Sequence, residues 1–112
     1  MKRRVKKKAQ QLSPCLSEST FKSQILRIAH QLGWTVYSIP DSRRATSVGF
    51  PDLVLAHHLR HKILYRELKT NKHKTTAEQE QWLATLKATG HDADVWRETD
   101  LDRIIRELTD LI

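Results

Sequence analysis

The sequence predicts an α/β fold, because stretches with helical spacing of apolar residues alternate with short runs typical of strands. Three stretches have the helical spacing: residues 21–32, 77–89 and 101–112. Four shorter runs are rich in β-branched, aromatic or aliphatic residues: 34–39, 52–56, 63–69 and 93–96. With 112 residues, the chain has the length for one domain with a single modest core.

The first helix and the first strand are predicted from residue order. The apolar positions of the helix are Phe21, Ile25, Ile28, Ala29 and Leu32. Gly33 is suited to end this helix, and the β-branched and aromatic run that follows is stopped by Pro40. Residues 41–50 lack apolar periodicity, so they predict a loop just ahead of residue 52.

The two central runs predict a β-hairpin, since a short connection joins them. Side chains alternate along a strand, so Glu67 and Lys69 should point to one face and Leu68 to the other. Asp52, at the start of the first strand, would then lie across the hairpin near Glu67. We expect the histidines of the connection to be solvated turn residues at the far end: His57 and His61.

The last third of the chain predicts a helix, a short strand and a closing helix. The inward side of the first of these helices is formed by Trp82, Leu83 and Leu86, and Gly90 is suited to cap its end. The closing helix carries a wide apolar stripe: Leu101, Ile104, Ile105, Leu108, Leu111 and Ile112. Core packing is its default role, but its width also suggests a contact in a homodimer.

The central hairpin also carries the most informative residues for function. Pro51-Asp52 is followed, after fourteen residues, by Glu67-Leu68-Lys69. Two converging carboxylates, joined by a main-chain carbonyl such as that of Leu68 and by waters, form the hard oxygen site that Mg²⁺ or Mn²⁺ prefers. A nearby ammonium can orient a water or offset the charge of a phosphate. These residue types together predict phosphodiester hydrolysis.

The surrounding residues resemble a known family. Its features are the segment 47–55 around Pro51-Asp52, then Arg66-Glu-Leu-Lys-Thr70, the segment 76–83, Gly90 and Val95-Trp-Arg97. In order and spacing they resemble the VRR-Nuc branch of the PD-(D/E)xK nucleases, over residues 18–102. The resemblance implies a restriction-endonuclease-like core, with a central mixed β-sheet flanked by helices. It also implies a divalent-metal site and nuclease activity, often on branched or flapped DNA.

The resemblance assigns roles to single positions. Asp52 and Glu67 would bind the metal, Lys69 would be the catalytic lysine, Glu18 would be a further acidic ligand, and Gln79 would be a polar catalytic residue. Two of these positions have simpler explanations. A glutamate in the first turn of a helix is favoured by the helix dipole alone. Thr76-x-x-Gln79 also fits a capping box, in which the glutamine bonds to the cap residue.

The distribution of charge indicates a nucleic-acid partner. Six of the twenty basic residues lie in the first eight positions, so we divide the chain into a basic tail, 1–16, and a nuclease-like domain, 17–112. A second basic concentration spans residues 60–74, whereas residues 90–112 are mostly acidic. We therefore expect DNA to approach the motif side. The loop residues predicted to contact it are Arg43, Arg44, Ser47, Lys72 and Lys74.

The rest of the composition narrows the class of protein. No apolar stretch is long enough to span a bilayer, and there is no signal-peptide pattern. One cysteine, Cys15, cannot form an internal disulfide, which fits a reducing compartment. The resemblance implies a bacterial or phage-infected cell, so we expect the protein in its cytoplasm. We predict a metal-dependent DNA endonuclease selective for flaps, forks or four-way junctions. The alternatives are a non-catalytic DNA-binding or assembly subunit that retains the nuclease fold, and a restriction-type enzyme that needs a separate specificity subunit.

Overall fold

A computed structural model of the chain describes residues 17–39, 48–70 and 72–110. The predicted tail, residues 1–16, lies outside the described residues. The elements in chain order are helix α1 (Glu18–Gln31), strands β1 (Thr35–Ser38), β2 (Leu53–His57) and β3 (Lys62–Lys69), helix α2 (Ala77–Ala88), strand β4 (Asp92–Arg97) and helix α3 (Leu101–Thr109). The elements predicted from apolar spacing are therefore all present, with their ends shifted by a few residues.

The four strands form one mixed sheet in the order β1-β2-β3-β4. The first three strands are antiparallel neighbours, and β2 and β3 form the predicted hairpin. Strand β4 lies parallel to β3, with α2 as the crossover between them. The register places Leu53 opposite Arg66, so Asp52 comes opposite Glu67 at the end of the hairpin. Because parallel strands end at the same edge of a sheet, β3 and β4 both finish at this edge.

The sheet is covered on both faces, which gives an α/β core. On one face the larger cluster joins α1 and α3 to the strands: Phe21, Ile25, Ala29, Trp34, Leu53, Leu55, Leu64, Leu68, Trp96, Ile104 and Leu108. On the other face α2 contributes Leu83 and Leu86, which pack with Ala93. The alternation along β3 directs Leu68 into the larger cluster and Glu67 towards the side of α2.

The prediction for His57 was wrong. His57 belongs to β2 and is buried, 7 % exposed, not a solvated turn residue. Its Nε2 lies 2.9 Å from the Leu32 carbonyl oxygen, and its ring packs edge-on against Trp34. Strand β2 runs one residue further than its apolar letters, since a histidine with a hydrogen-bond partner can occupy a core position. His61 is exposed in the turn, at φ 55°.

The apolar stripe of the closing helix is divided by packing. Ile104 and Leu108 are fully buried in the core, whereas Leu101 and Ile105 remain 41 % and 39 % exposed. The last two residues of the stripe lie outside the described residues. Leu101 and Ile105 are therefore accessible to a second copy of the chain, and the homodimer contact stays a prediction. Across the described residues, no helix has both the length and the apolar character that a membrane crossing requires.

Candidate active site

Asp52 is positioned by the turn that leads into β2. Gly49 in this turn has φ +94°, and a Cβ there would lie 2.6 Å from the main-chain carbonyl carbon of Glu78 in α2. Only glycine satisfies both this conformation and this close approach. Asp52 is half-buried, and its Oδ2 accepts a hydrogen bond of 2.9 Å from the Leu68 amide. The hairpin therefore fixes the Asp52 carboxylate against the end of β3.

Glu67 lies opposite Asp52 and is almost completely buried, 2 % exposed. Burial and, next, the negative charge of the Asp52 carboxylate raise the pKa of Glu67 from 4.5 to about 9. Lys69 acts in the opposite direction, and Glu18 adds a smaller rise. The folded protein without a bound cation therefore holds a proton on Glu67 at neutral pH.

The two oxygens of Glu67 have different surroundings. Oε2 accepts a hydrogen bond of 2.9 Å from Nε2 of Gln79, and Nζ of Lys69 lies 3.8 Å from the same oxygen. Oε1 is buried and has no hydrogen-bond partner among the described residues. A buried carboxylate oxygen without a donor fits a cation as its missing partner.

Gln79 forms the predicted capping box and also contacts Glu67, while its catalytic role stays a prediction. It is the third residue of α2, and its Oε1 accepts from the Thr76 amide at 2.9 Å, while the Thr76 hydroxyl accepts from the Gln79 amide at 3.1 Å. Its amide nitrogen remains for Glu67, as described above. The capping box therefore orients the side-chain amide, since one end of the amide is held by the cap and the other donates to the carboxylate.

Glu18 contributes less than the central pair. It is the first residue of α1 and is exposed, and its only described link to the pair is its effect on the pKa of Glu67. No group of three or more histidine, cysteine or acidic side chains with metal-binding spacing occurs among the described residues. Among the described residues, Asp52 and Glu67 form the carboxylate pair that could hold a cation. The predicted use of the Leu68 carbonyl and of Glu18 stays a prediction.

The basic concentration at residues 60–74 does not form one surface. Arg66 is 2 % exposed on the α3 side, where its guanidinium bonds to Asp92 and Glu107 and lies 5.2 Å from the Trp96 ring centroid. Arg60 lies in the β2–β3 turn, at the opposite end of the sheet from Asp52. Within this stretch, the basic residues from Lys69 onwards lie at the same end of the sheet as Asp52 and Glu67.

Of the residues predicted to contact DNA, two are described. Lys72 and Lys74 are exposed in the loop between β3 and α2, directly after Lys69. Arg43, Arg44 and Ser47 lie outside the described residues.

Sequence reasoning included Arg97, the last residue of β4, in the family resemblance but assigned it no role. Its Nη1 donates to the His73 carbonyl at 2.7 Å and to the Thr70 carbonyl at 3.4 Å, so it braces the loop that follows Lys69. In the sequence Arg97 falls in the acidic C-terminal segment. The available signal was the helix between two strands, because a β-α-β unit brings the carboxyl ends of both strands to one edge.

Comparisons with known proteins agree with this architecture. The sequence matches no protein-family model and no curated protein. A solved structure described as a VRR_NUC domain protein is similar with a TM-score of 0.67 and 18 % identity, over 88 % of this chain and 92 % of that chain. A second, described as a VRR_NUC domain, has a TM-score of 0.66 and 20 % identity, over 80 % of this chain and 94 % of that chain.

A third similar structure is that of Hjc from Archaeoglobus fulgidus, described as a Holliday junction resolvase from an archaeal hyperthermophile. Its TM-score is 0.52 at 18 % identity, over 70 % of this chain and 64 % of that chain. The chain therefore has the fold of VRR_NUC domain proteins. This confirms the predicted fold class, a mixed sheet flanked by helices in a restriction-endonuclease-like core.

Proposed function

We propose that the VRR_NUC-type fold of this chain serves a divalent-metal-dependent endonuclease that hydrolyses phosphodiester bonds in DNA. The observation that carries the proposal is the pairing of Asp52 with the buried Glu67, whose Oε1 has no donor among the described residues. Burying a carboxylate against a second carboxylate is costly unless a proton or a cation joins them. Such a pair does not stabilise the fold by itself, whereas a divalent cation is held by carboxylate oxygens in this arrangement.

The cation that fits this oxygen pair is Mg²⁺ or Mn²⁺, held by Asp52 and Glu67. When bound, such an ion polarises a phosphoryl oxygen and lowers the pKa of a coordinated water.

The protein residues supply position and charge around that site. The Leu68 amide holds one oxygen of Asp52, and the Gln79 amide holds one oxygen of Glu67. Lys69, only 14 % exposed beside Glu67, places an ammonium where it can orient a water or offset negative charge on the phosphate. Each group is held by a strand or by the capped first turn of a helix, so little reorganisation is needed when a substrate binds.

For the substrate, we propose DNA with a branch: a flap, a fork or a four-way junction. The exposed Lys72 and Lys74 offer charge to a phosphate backbone, and such contacts carry no sequence information. One protein of similar fold is a Holliday junction resolvase. A homodimer through the exposed Leu101 and Ile105 would place two such sites on one junction.

Cleavage of a labelled DNA panel tests the proposal. The panel comprises single strand, duplex, flap, fork and four-way junction, each with Mg²⁺, Mn²⁺ or EDTA. The wild type should cut at least one of them only with metal. Lys69→Met, which keeps the length of the side chain and removes its charge, should reduce the rate at least roughly 100-fold. Lys62→Met is the matched control, because Lys62 lies at the far end of the same strand.

Asp52→Asn and Glu67→Gln separate catalysis from binding. Both variants should bind the preferred DNA and fail to cut it. If the wild type binds DNA, cuts none of the panel and shows no rise in melting temperature with Mn²⁺, the non-catalytic subunit is the better description, since a true metal site is stabilised by mass action. If its melting temperature rises with Mn²⁺ but it cuts only when another protein is added, the restriction-type alternative gains.

A further inference from the structure

Two cationic side chains lie next to each other at the edge of the sheet that carries the carboxylate pair. Lys69 and Arg97 are register partners at the ends of the parallel strands β3 and β4. Register partners in adjacent strands project from the same face, and Val95, two residues before Arg97, packs with the cluster on the α2 side. Like charges placed directly across a strand pair repel each other. This placement is favourable when an anion lies between them.

The guanidinium of Arg97 is held to the loop through one of its three nitrogens. Both of its side-chain bonds to the loop, to the carbonyls of His73 and Thr70, use Nη1. The Nε–H and the Nη2 donors are not engaged by these two bonds. A guanidinium has five donors in a planar fork that matches a phosphate, so it can hold the loop with one arm and an anion with the other.

Two other buried or half-buried arginines of the domain bond to carboxylates. Arg66 bonds to the carboxylates of Asp92 and Glu107, and Arg103 bonds to those of Asp94 and Glu107. These pairs neutralise charge inside the α3 layer. Arg97 instead bonds to neutral carbonyls, which leave its positive charge uncompensated by those partners.

We propose that Arg97 binds a backbone phosphate of DNA beside Lys69, while its Nη1 braces the loop that carries Lys72 and Lys74. The phosphate would take donors from Nε and Nη2 and relieve the repulsion between the two cations. Arg97 is thus a DNA-binding residue next to the carboxylate pair, and it positions the basic loop as well. This inference rests on the proposed function, because it assumes that DNA approaches the end of the sheet where β3 and β4 finish.

The salt dependence of DNA binding tests this assignment. Labelled duplex and four-way junction are titrated by fluorescence anisotropy in EDTA, which prevents cleavage, at several salt concentrations. One lost phosphate contact lowers the slope of log affinity against log salt by about 0.9, and weakens binding about fivefold near 0.15 M salt. Arg97→Met should show both effects. In Arg97→Lys the slope should change by less than about half of this amount, because the positive charge remains.

Arg60→Met is the matched control. Arg60 also uses Nη1 to join two carbonyls, those of Thr109 and Asp110, each at 2.8 Å, but at the opposite end of the sheet. It should keep the wild-type slope, whatever its effect on the melting temperature. Arg97→Gln, which retains an amide donor for the loop carbonyls, carries the same test if Arg97→Met does not fold.

The outcomes separate this inference from the function on which it rests. A slope reduced in Arg97→Met and Arg97→Gln, but kept in Arg97→Lys and Arg60→Met, supports the phosphate contact. A wild-type slope in Arg97→Gln or Arg97→Met overturns it, even if the wild type cuts DNA with metal. A wild type that neither binds nor cuts DNA overturns the proposed function and this inference together, and the cleavage panel identifies that case.

Discussion

The buried Glu67 should make the metal-free protein less stable as the pH rises through neutrality. Its pKa is about 9 when folded and near its ordinary value of 4.5 when unfolded. Between these values the folded state holds one more proton than the unfolded state, so the free energy of unfolding falls as pH increases. A full proton difference is worth about 1.4 kcal/mol per pH unit. From pH 6 to pH 8 we therefore expect a loss of about 2.7 kcal/mol.

Thermal melting in EDTA measures this loss. For a domain of this size, 1 kcal/mol corresponds to roughly 4–8 °C, so the melting temperature of the wild type should drop by roughly 10–20 °C over the interval. Glu67→Gln removes the titrating group and keeps an oxygen for the Gln79 amide. The variant should melt near the wild type at pH 5 and above it at pH 8. At pH 8, Mn²⁺ should raise the melting temperature of the wild type and leave that of Glu67→Gln almost unchanged.

The comparison of slopes isolates Glu67, because the other titrating groups are common to both proteins. Parallel pH profiles for the wild type and Glu67→Gln would refute the reasoning, as would a wild type that becomes more stable between pH 6 and pH 8. Either result would mean that water or a structural shift relieves the burial of the carboxyl.

Two further comparisons use matched variants. Thr76→Ala should lower the free energy of unfolding by about 1 kcal/mol, within a range of about 0.5–2 kcal/mol, because the cap is lost, and should change the cleavage rate little. Gln79→Ala should lower the free energy of unfolding and also slow cleavage, because Glu67 loses its donor. In chemical denaturation, Gly90→Ala should cost about 1–2 kcal/mol for its positive φ, and Gly49→Ala clearly more, because only at Gly49 would the Cβ meet a helix backbone. Equal losses at the two glycines, or equal cleavage in the first pair, would contradict these assignments.

Much of the secondary structure was predictable from local order. The apolar spacing of the helices and the alternation along β3 depend on neighbours within a few residues, and the structure agrees with them. The burial of His57 was not predictable in the same way. A histidine next to a turn can be exposed to solvent or buried with a hydrogen-bond partner. His57 is buried because the Leu32 carbonyl and the Trp34 ring, which are distant in sequence, contact it.

The candidate site divides along the same line. The pattern of Asp52, Glu67 and Lys69 was visible because a hairpin relates positions by simple register. The dual bonding of Gln79 was only half visible, since the capping box is local but its contact with Glu67 depends on how α2 lies against the sheet. The place of Arg97 beside Lys69 was not visible, because the parallel pairing of β4 with β3 arises from a crossover.

The sequence by itself determined the α/β class, the hairpin and the identity of two carboxylates and a lysine that lie at one end of the hairpin. Those features follow from side-chain periodicity, which is a short-range property of the chain. Only the tertiary structure decided that Glu67 is buried with a pKa of about 9, that Arg66 is inside the domain, and that Arg97 stands beside Lys69. These outcomes depend on desolvation and on long-range strand pairing, which arise only when distant segments pack together.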